Sequence, residues 1–384
     1  MKNPVYINSI ASISPLGTTR EEIWNNYKTD KHFIKSQNFS STDAFAAFLS
    51  SKQKVEVENL RNSESRFKAL DNSVLYAIVS ARAAFQEAKW KKEDTIGINI
   101  GSSRGATQLF EKHHKEFIEN GKVEVLASPS TTLGNISSWV AQDLRTSGPE
   151  ISHSVTCSTG LHAILNGVVW LQSGFADKFI VGGSEAALTP FTIAQMKAMK
   201  IYASQDLDFP CQALNMDKKY NSMVLGEAAG VACISNNTEN SIAKITGIGF
   251  ATEELKHSVS ISANGSCFQK SMKMAIGDKA LNDIDAVVMH APGTVKGDEA
   301  EINAIKAIFG AKLPALTSNK WKIGHTFGAS GILSMELAIL MLQNDDFIPV
   351  PFSTISKTPN KLENILINAV GFGGNAVSIL ISKN

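Results

Sequence analysis

A cysteine at the junction of a predicted strand and a predicted helix is the first residue in this sequence that could carry out chemistry. Residues 150–156 have the pattern of a strand, and apolar residues from Leu161 to Leu171 follow a helical spacing that stops at Gly174. Cys157 therefore precedes the first turn of the helix, where free backbone N–H groups and the helix dipole favour a thiolate. A reactive nucleophile is one interpretation of this turn, and a small buried core residue is the other.

Two histidines follow predicted strands in loops. His290 ends an apolar run and is followed by Ala-Pro-Gly-Thr, before a helix that begins near Asp298. His325 lies five residues after Lys320 in a loop rich in glycine. Strand ends next to glycine-containing loops are well placed for functional sites. Taken alone, His290 is more typical of a core histidine with satisfied hydrogen bonds, and Lys320 is more typical of a solvated surface lysine.

A glycine-rich segment near the end of the chain contains one bulky side chain. Residues 371–376 read Gly-Phe-Gly-Gly-Asn-Ala and lie between two apolar runs. The pattern indicates two strands joined by a turn that contains Phe372. A mobile loop is one interpretation, but the segment taken alone favours an ordinary hairpin turn.

The elements that must position these residues alternate between short apolar runs and helix-period segments, which is the pattern of an α/β protein. Strands are predicted at 95–100, 178–181, 284–290, 315–318, 366–370 and 377–381. The polar segment 236–241 lies between two strand-like runs and is the best candidate boundary between two halves of the chain. The polar stretch 32–65 is predicted to form a helical excursion over the surface.

Composition excludes several classes of protein. Of the 384 residues 43% are apolar and 19% charged, and the net charge of +1 gives no bulk signal for binding nucleic acid or membrane surfaces. No apolar stretch approaches the roughly 20 residues that cross a bilayer, and the first residues do not have the pattern of a secretory signal. The four cysteines form no C-x-x-C pair, which favours a reducing cytoplasm and argues against zinc or a disulfide framework.

Together the four motifs resemble the β-ketoacyl-acyl-carrier-protein synthases, the elongating condensing enzymes of thiolase fold. Cys157, His290 and His325 have the order and approximate spacing of the Cys-His-His triad of that family. Further similar segments are the nucleophile turn 156–164, the lysine–histidine loop 319–331, the gating loop 371–375, and shorter matches at 14–17, 148–149, 183–185 and 225–227.

The resemblance implies a fold as well as an activity. The expected fold is α/β and thiolase-like, with two similar βα halves in a five-layered αβαβα arrangement. Residues 1–238 would form the half that carries the nucleophile, and residues 239–384 the half that carries both histidines.

The implied activity is that of an acyltransferase, a β-ketoacyl synthase of fatty-acid or polyketide/polyene-type biosynthesis. An acyl chain moves from a carrier-protein thioester to Cys157, and malonyl-carrier protein then loses CO₂ to give an enolate that attacks the acyl-cysteine. The backbone N–H groups of Cys157 and Phe372 are the expected oxyanion donors. His290 and His325 are expected to stabilise the enolate oxygen as neutral imidazoles.

Similarity also suggests roles for the surrounding residues. Lys320, paired with Glu301, would hold the electrostatic balance near His325. Phe372 would swing to open the acyl pocket, with Gly371, Gly373 and Gly374 as hinges. Two further residues would bind substrate: Thr294 would contact the pantetheine arm, and Arg104 would lie beside the acyl chain.

The implied partners are an acyl carrier protein and a second subunit. The substrates would arrive on the phosphopantetheine of the carrier, with no cofactor and no metal bound to the enzyme. The family resemblance favours a dimer, either a homodimer or a heterodimer with a chain-length-factor-like subunit, with no nucleic acid partner and no membrane insertion. Arg61, Arg66 and Lys68 are candidates for a basic patch that meets the acidic carrier.

Three positions depart from the family pattern. Pro292 replaces a threonine expected to bind pantetheine, and Arg104 replaces an apolar residue of the acyl pocket. Residues 214–217 read Leu-Asn-Met-Asp, so that an arginine common at this point is missing. These changes bear on the acyl substrate and the carrier, and they suggest a specialised synthase.

A non-catalytic chain-length factor or scaffold of the same fold is the main alternative. Chain-length factors lack the nucleophile, so the presence of Cys157 with both histidines favours activity. A thiolase would need a second catalytic cysteine late in the chain, whereas the last cysteine is Cys267. Initiating ketosynthases pair cysteine with histidine and asparagine, and the local signatures of cysteine proteases do not occur around Cys157.

Overall fold

The computed structural model describes residues 1, 3–40, 42–91, 94–133, 135–254, 261–355 and 357–384. Within these ranges the chain forms thirteen strands and twelve α-helices. The strands are Val5–Ile13 (β1), Ile34–Phe39 (β2), Thr42–Ala47 (β3), Ile96–Gly101 (β4), Glu150–Ile151 (β5), Lys178–Glu185 (β6), Leu225–Gly226 (β7), Ala228–Ser235 (β8), Ala243–Thr252 (β9), Ala286–Val288 (β10), Ala315–Thr317 (β11), Asn364–Gly371 (β12) and Asn375–Ser382 (β13).

The helices begin after residues that cap them in several places. Ser50 and Gln53 form a capping box, and the Asp71 and Thr294 side chains accept hydrogen bonds from first-turn N–H groups. The helices are Arg20–Tyr27 (α1), Ser51–Ser63 (α2), Asn72–Ala88 (α3), Thr107–Asn120 (α4), Ala127–Thr131 (α5), Asn135–Leu144 (α6), Thr159–Gln172 (α7), Pro190–Ala198 (α8), Ser266–Ile276 (α9), Val295–Phe309 (α10), Lys320–Ile323 (α11) and Ser330–Asn344 (α12).

Ten of these strands form one sheet whose two halves repeat the same topology. The order is β5-β4-β6-β8-β1 in the first half and β9-β13-β12-β10-β11 in the second, and the halves meet where β1 pairs with β9. In each half the first strand pairs antiparallel with the last, and the last pairs antiparallel with the strand before it. The remaining two pairings of each half are parallel. The chain is therefore built from two similar βα halves.

The helices complete a five-layered arrangement around these half-sheets. Helix α3 packs on β1, β8 and β6, and α9 packs on β9 and β13, so that each covers an outer face. Helices α7 and α12 lie between the halves: α7 contacts β6, β4 and β13, whereas α12 contacts β12, β8 and α7. Residues 330–342 of α12 are buried throughout, which explains why its sequence is apolar on all sides. The predicted αβαβα fold is confirmed.

The predicted strands at 95–100, 178–181, 284–290, 315–318, 366–370 and 377–381 correspond to β4, β6, β10, β11, β12 and β13. Two local predictions were wrong. The stretch 32–65 is not wholly helical, because β2 and β3 form a hairpin before α2. The strand predicted at 150–156 is only Glu150–Ile151, at the edge of the sheet.

The proposed boundary between residues 238 and 239 lies in the connection between β8 and β9. Within the described ranges, no helix combines the length and apolar composition that a membrane crossing requires.

Candidate active site

The nucleophile turn is tight and buried. Thr156 has a positive φ of 49°, so the chain reverses direction directly before Cys157 and enters α7 two residues later. The Thr159 hydroxyl ties the turn together, since it accepts from the backbone N–H of Val155 at 2.9 Å and donates to the Thr156 carbonyl at 2.6 Å. Cys157 is 5% exposed and precedes the helix, as the sequence predicted.

A close backbone contact brings the histidine loop against this turn. A Cβ on Gly160, in the first turn of α7, would lie 2.9 Å from the carbonyl oxygen of Gly328. Ser330, at the start of α12, donates its hydroxyl to the Cys157 carbonyl at 3.3 Å. The two segments can touch only because glycine stands at the contact. Residues from opposite halves of the chain therefore meet at Cys157.

His325 is fixed by its backbone. Its N–H donates to the Val224 carbonyl at 2.6 Å, and its carbonyl accepts from the Gly226 N–H at 3.1 Å, so the loop pairs with β7. The ring lies 5.6 Å from that of Phe327. Phe327 has a φ of 42°, a strained value for a bulky residue, and strain of this kind is concentrated at functional sites.

His290 is held from the other side by Glu301 of α10. One carboxylate oxygen accepts from the His290 N–H at 2.9 Å, and the other from the Ala291 N–H at 2.8 Å. Asn368 of β12 donates to the same carboxylate at 3.1 Å. The rings of His290 and His325 are 5.2 Å apart and nearly perpendicular. The two predicted histidines are therefore neighbours, although each depends on different contacts.

The positive charge of Lys320 acts on all three candidate catalytic residues. Lys320 is 1% exposed, and its positive charge lowers the pKa of Cys157, His290 and His325. Burial is the larger cause for both histidines, whose pKa values fall well below the ordinary range. Both imidazoles are consequently neutral at physiological pH. Burial lowers the pKa of Lys320 itself, and the Glu301 charge opposes that effect.

In the free protein, the environment of Cys157 favours the neutral thiol, whereas the helix N-terminus was expected to favour the thiolate. Burial, with a smaller contribution from the negative charge of Glu185, raises the pKa of the Cys157 thiol to about 12. The charges of Lys320 and Arg104 act in the opposite direction but are smaller effects. The sequence-based expectation was wrong because it considered the helix and not the desolvation of the sulfur.

The glycine-rich loop 371–375 closes on the nucleophile turn. Residues 372–374 join β12 to β13, and the Gly374 N–H donates to the Gly371 carbonyl at 3.1 Å. A Cβ on Gly371 would lie 2.0 Å from the Thr156 hydroxyl oxygen, and that hydroxyl donates to the Phe372 carbonyl at 3.5 Å. Gly373 and Gly374 have φ values of 101° and 68°. The hairpin turn predicted for this segment therefore lies beside Cys157.

The structure also gives positions for the other predicted residues. Thr294 caps α10 by accepting from the Gly297 N–H at 3.2 Å. The guanidinium carbon of Arg104 lies 5.9 Å from the Phe327 ring centroid. On the surface, Arg66 and Lys68 are exposed, whereas Arg61 donates to the Leu70 carbonyl and the Asn72 side chain.

Glu185 is the residue whose importance the sequence understated. Its buried carboxylate accepts from the Ser102 hydroxyl and from the N–H groups of Ser103, Arg104 and Gly328. It thereby joins the segment after β4 to the histidine loop. Only the short match at 183–185 pointed to it. Burial raises its pKa to about 7.

Family models match almost the whole chain. The model described as the N-terminal domain of β-ketoacyl synthase matches residues 2–240, and the one described as the C-terminal domain matches residues 242–351. The chain belongs to the β-ketoacyl synthase family. As a β-ketoacyl synthase it is a condensing enzyme of the acyltransferase type.

Relatives and solved structures agree with this family. The 3-oxoacyl-[acyl-carrier-protein] synthase 2 of Staphylococcus aureus (strain COL) is 27% identical to this chain over an alignment of 411 positions, gaps included, which covers 99% of this chain and 98% of the relative. The ishigamide ketosynthase/chain length factor superposes with a TM-score of 0.87 at 18% identity, with 99% of each chain covered.

A second similar solved structure contains a carrier protein. It is a type II polyketide synthase acyl-carrier protein in complex with its ketosynthase bound to the hexaketide, with a TM-score of 0.85, 19% identity and 99% coverage of both chains. At these identities the two solved structures show that the synthase has the ketosynthase fold.

Proposed function

We propose that this synthase forms carbon–carbon bonds by decarboxylative condensation, with Cys157, His290 and His325 as its catalytic residues. The observation that carries the proposal is the placement of a buried thiol and two neutral, perpendicular imidazoles around one buried lysine. Neutral imidazole donates a hydrogen bond without bringing a charge that would compete for the thiolate. This combination suits an enolate and a thioester in one site.

The first half-reaction transfers the acyl group. The Cys157 sulfur attacks the carbonyl of an acyl thioester, and the tetrahedral oxyanion is stabilised by the backbone N–H groups of Cys157 and Phe372. The thioester C–S bond then breaks and the carrier thiol leaves with a proton. The positive charges of Lys320 and Arg104 favour the sulfur anion during this step because both lower the pKa of Cys157.

The second half-reaction uses the histidines. A malonyl thioester loses CO₂, and the electron pair of the broken bond forms an enolate whose oxygen accepts from His290 and His325. The enolate carbon attacks the acyl-cysteine carbonyl, the C–S bond breaks, and Cys157 is regenerated. Glu301 maintains the position of His290 and, with Lys320, the charge balance. Phe372 and its flanking glycines admit the acyl chain, and Thr294 contacts the pantetheine arm.

The proposed carrier of the acyl and malonyl groups is an acyl carrier protein, which is also the carrier in the name of the Staphylococcus aureus relative. Arg66 and Lys68 are exposed cations suited to an acidic partner. The reaction needs no cofactor, because the thioester supplies the activation. The expected compartment is the cytoplasm, where the four buried free thiols stay reduced.

A dimer is part of the proposal. Edge strand β5 pairs only with β4 among the described strands, and an open edge commonly pairs with another chain. Large apolar side chains are exposed on α4 and in the connection to α5, namely Phe117, Ile118 and Val125. The partner is a second copy or a chain-length-factor-like subunit, and a mass measurement by light scattering on the pure protein distinguishes the two.

The test of the nucleophile is direct. The protein is incubated with an acyl-carrier protein and digested, and the peptide that contains Cys157 is weighed. We expect one acyl group on that peptide, lost in Cys157→Ala and retained in the control Cys267→Ala. If no acyl donor modifies Cys157, the condensing function is wrong for this chain and a non-catalytic role takes its place.

A further inference from the structure

Arg104 is a partly buried cation with an unused hydrogen-bond donor. One Nη atom donates to the Gln195 side chain. The Nε atom is buried, and no acceptor lies within hydrogen-bond distance of it in the part of the chain that the structure describes. Guanidinium remains charged at any physiological pH and offers five donors. Buried donors in native proteins nearly always have a hydrogen-bond partner. The Nε atom of Arg104 is therefore available to an acceptor on a bound ligand.

The neighbouring carboxylate does not satisfy this cation. Glu185 accepts from the backbone N–H of Arg104 at 3.1 Å, and its two oxygens accept three further hydrogen bonds from Ser102, Ser103 and Gly328. Each oxygen thus receives two donors. The Glu185 carboxylate therefore has little acceptor capacity left for the Arg104 guanidinium.

Arg104 faces the surroundings of the nucleophile. Its guanidinium lies over the Phe327 ring, and Phe327 shares one apolar cluster with Cys157 and with Leu188, Ile193 and Met196. The charge of Arg104 also lowers the pKa of the Cys157 thiol, so the two groups are within electrostatic reach. An acyl chain attached to the sulfur and lying along this cluster would therefore pass close to the guanidinium.

The chemistry of the acyl group follows from this position. A saturated hydrocarbon chain has no acceptor and would leave the buried Nε donor unsatisfied. A carboxylate, hydroxyl or ketone oxygen on the chain would accept from it, and a carboxylate would also balance the charge. We propose that Arg104 selects acyl groups that carry an oxygen acceptor along the chain. This inference rests on the proposed transfer of an acyl group to Cys157.

The experiment compares three series of acyl-pantetheine thioesters, short to long, that match in carbon number and end in a methyl, a hydroxyl or a carboxylate group. The readout is the rate of Cys157 acylation by intact mass, which does not involve the malonyl half-reaction. At the chain length that reaches Arg104 we expect an oxygenated group to react about tenfold faster than the methyl group, the effect of one hydrogen bond to a charged donor. The carboxylate and hydroxyl series separate an anionic ligand from a neutral one.

Variants complete the test. Arg104→Met should abolish the preference or reverse it, Arg104→Lys should retain part of it for the carboxylate, and Arg20→Met serves as a control for loss of an arginine elsewhere. Equal rates for all three series in the unmodified protein, or an unchanged preference in Arg104→Met, would overturn the inference while leaving the condensing function intact. If no series acylates Cys157, the proposed function fails, and this inference fails with it.

Discussion

The imidazole rings of His290 and His325 meet edge to face, with centroids 5.2 Å apart and planes at 87°. Each ring reaches this position from a separate support: the Glu301 carboxylate holds the His290 backbone, and the Val224 carbonyl holds that of His325. Because both pKa values are far below the ordinary range, the pair presents neutral N–H donors to the same region. Two fixed neutral donors are what a developing enolate oxygen requires.

Replacement of either histidine should separate the two half-reactions. His290→Ala and His325→Ala should still accept an acyl group on Cys157, whereas malonyl decarboxylation should fall by on the order of a hundredfold or more, the usual loss for one oxyanion donor. Labelled CO₂ release and the mass of the Cys157 peptide, followed in parallel, measure both steps.

The control for these variants is His32→Ala, because His32 bonds the Asp208 carbonyl on the exposed surface. Unchanged CO₂ release in both His290→Ala and His325→Ala would rule out the enolate role of the pair.

The reactivity of Cys157 should depend steeply on pH in the free protein. With a pKa near 12, only a small fraction of the thiol is ionised at neutral pH, and this fraction rises about tenfold per pH unit. Iodoacetamide labelling of Cys157 should therefore accelerate through the alkaline range without a plateau.

Two variants should change this labelling rate in opposite directions. Lys320→Met removes a charge that lowers the thiol pKa, so labelling at a fixed pH should slow. Glu185→Gln removes a charge that raises it, so labelling should accelerate. A plateau near neutral pH in the unmodified protein would mean that the helix N-terminus outweighs burial.

The contact between Gly371 and the nucleophile turn should be intolerant of a methyl group. In Gly371→Ala the new Cβ would meet the Thr156 hydroxyl at 2.0 Å and the Val155 carbonyl at 2.5 Å. The turn must shift, at a cost of about 1–3 kcal/mol typical of overpacking, and Cys157 acylation should fall strongly.

Thermal unfolding and the acylation rate measure the two effects of Gly371→Ala. Gly121→Asn is the matched control, since its φ of 65° suits asparagine and no atom of the described residues lies within 4 Å of the added Cβ. Wild-type acylation by Gly371→Ala would show that the loop does not position the nucleophile turn.

The predictions from sequence succeeded where burial leaves a pattern in the chain. Strands β4, β6, β12 and β13 are almost fully buried, and continuous apolar runs marked all four. Strand β2 was missed because four of its six residues are exposed, so that it has no apolar run. Strand β5 was overextended because only two residues pair at the sheet edge.

The sequence indicated the residues of the candidate site but not their geometry. Local motifs marked Cys157, His290 and His325, yet their convergence depends on contacts such as that of Gly160 with Gly328, which link distant parts of the chain. The raised pKa of Cys157 is likewise a property of the packed interior. The roles of all the site residues, Cys157 and the two histidines included, and the boundary between residues 238 and 239 stay predictions.

Glu336 in the middle layer should make stability depend on pH. Burial raises its pKa to about 7, and the Ser12 hydroxyl donates to it at 2.8 Å. In the unfolded state the pKa of Glu336 is near 4.5. Between that pH and about pH 7 the folded protein keeps the Glu336 proton that the unfolded chain releases. The free energy of unfolding therefore falls as pH rises, by on the order of 3 kcal/mol from this group.

Glu336→Gln should remove the Glu336 share of this fall in stability, while Glu185, whose pKa burial also raises to about 7, keeps its own share; the variant should be more stable than the unmodified protein above about pH 7. Urea unfolding midpoints at acidic and alkaline pH provide the comparison, with the exposed Glu363→Gln as control. If the urea midpoints of the unmodified protein and of Glu336→Gln changed in parallel with pH, Glu336 would not have the raised pKa described here.

The most direct measurement is the complete condensation. The protein is incubated with malonyl-carrier protein and with a carrier protein that bears an isotopically labelled acyl group. The product thioester and the CO₂ are quantified together. The proposed mechanism predicts one CO₂ for each β-ketoacyl product, with the labelled chain extended by two carbons, and no product from Cys157→Ala. An equal yield of the extended chain from Cys157→Ala would contradict it.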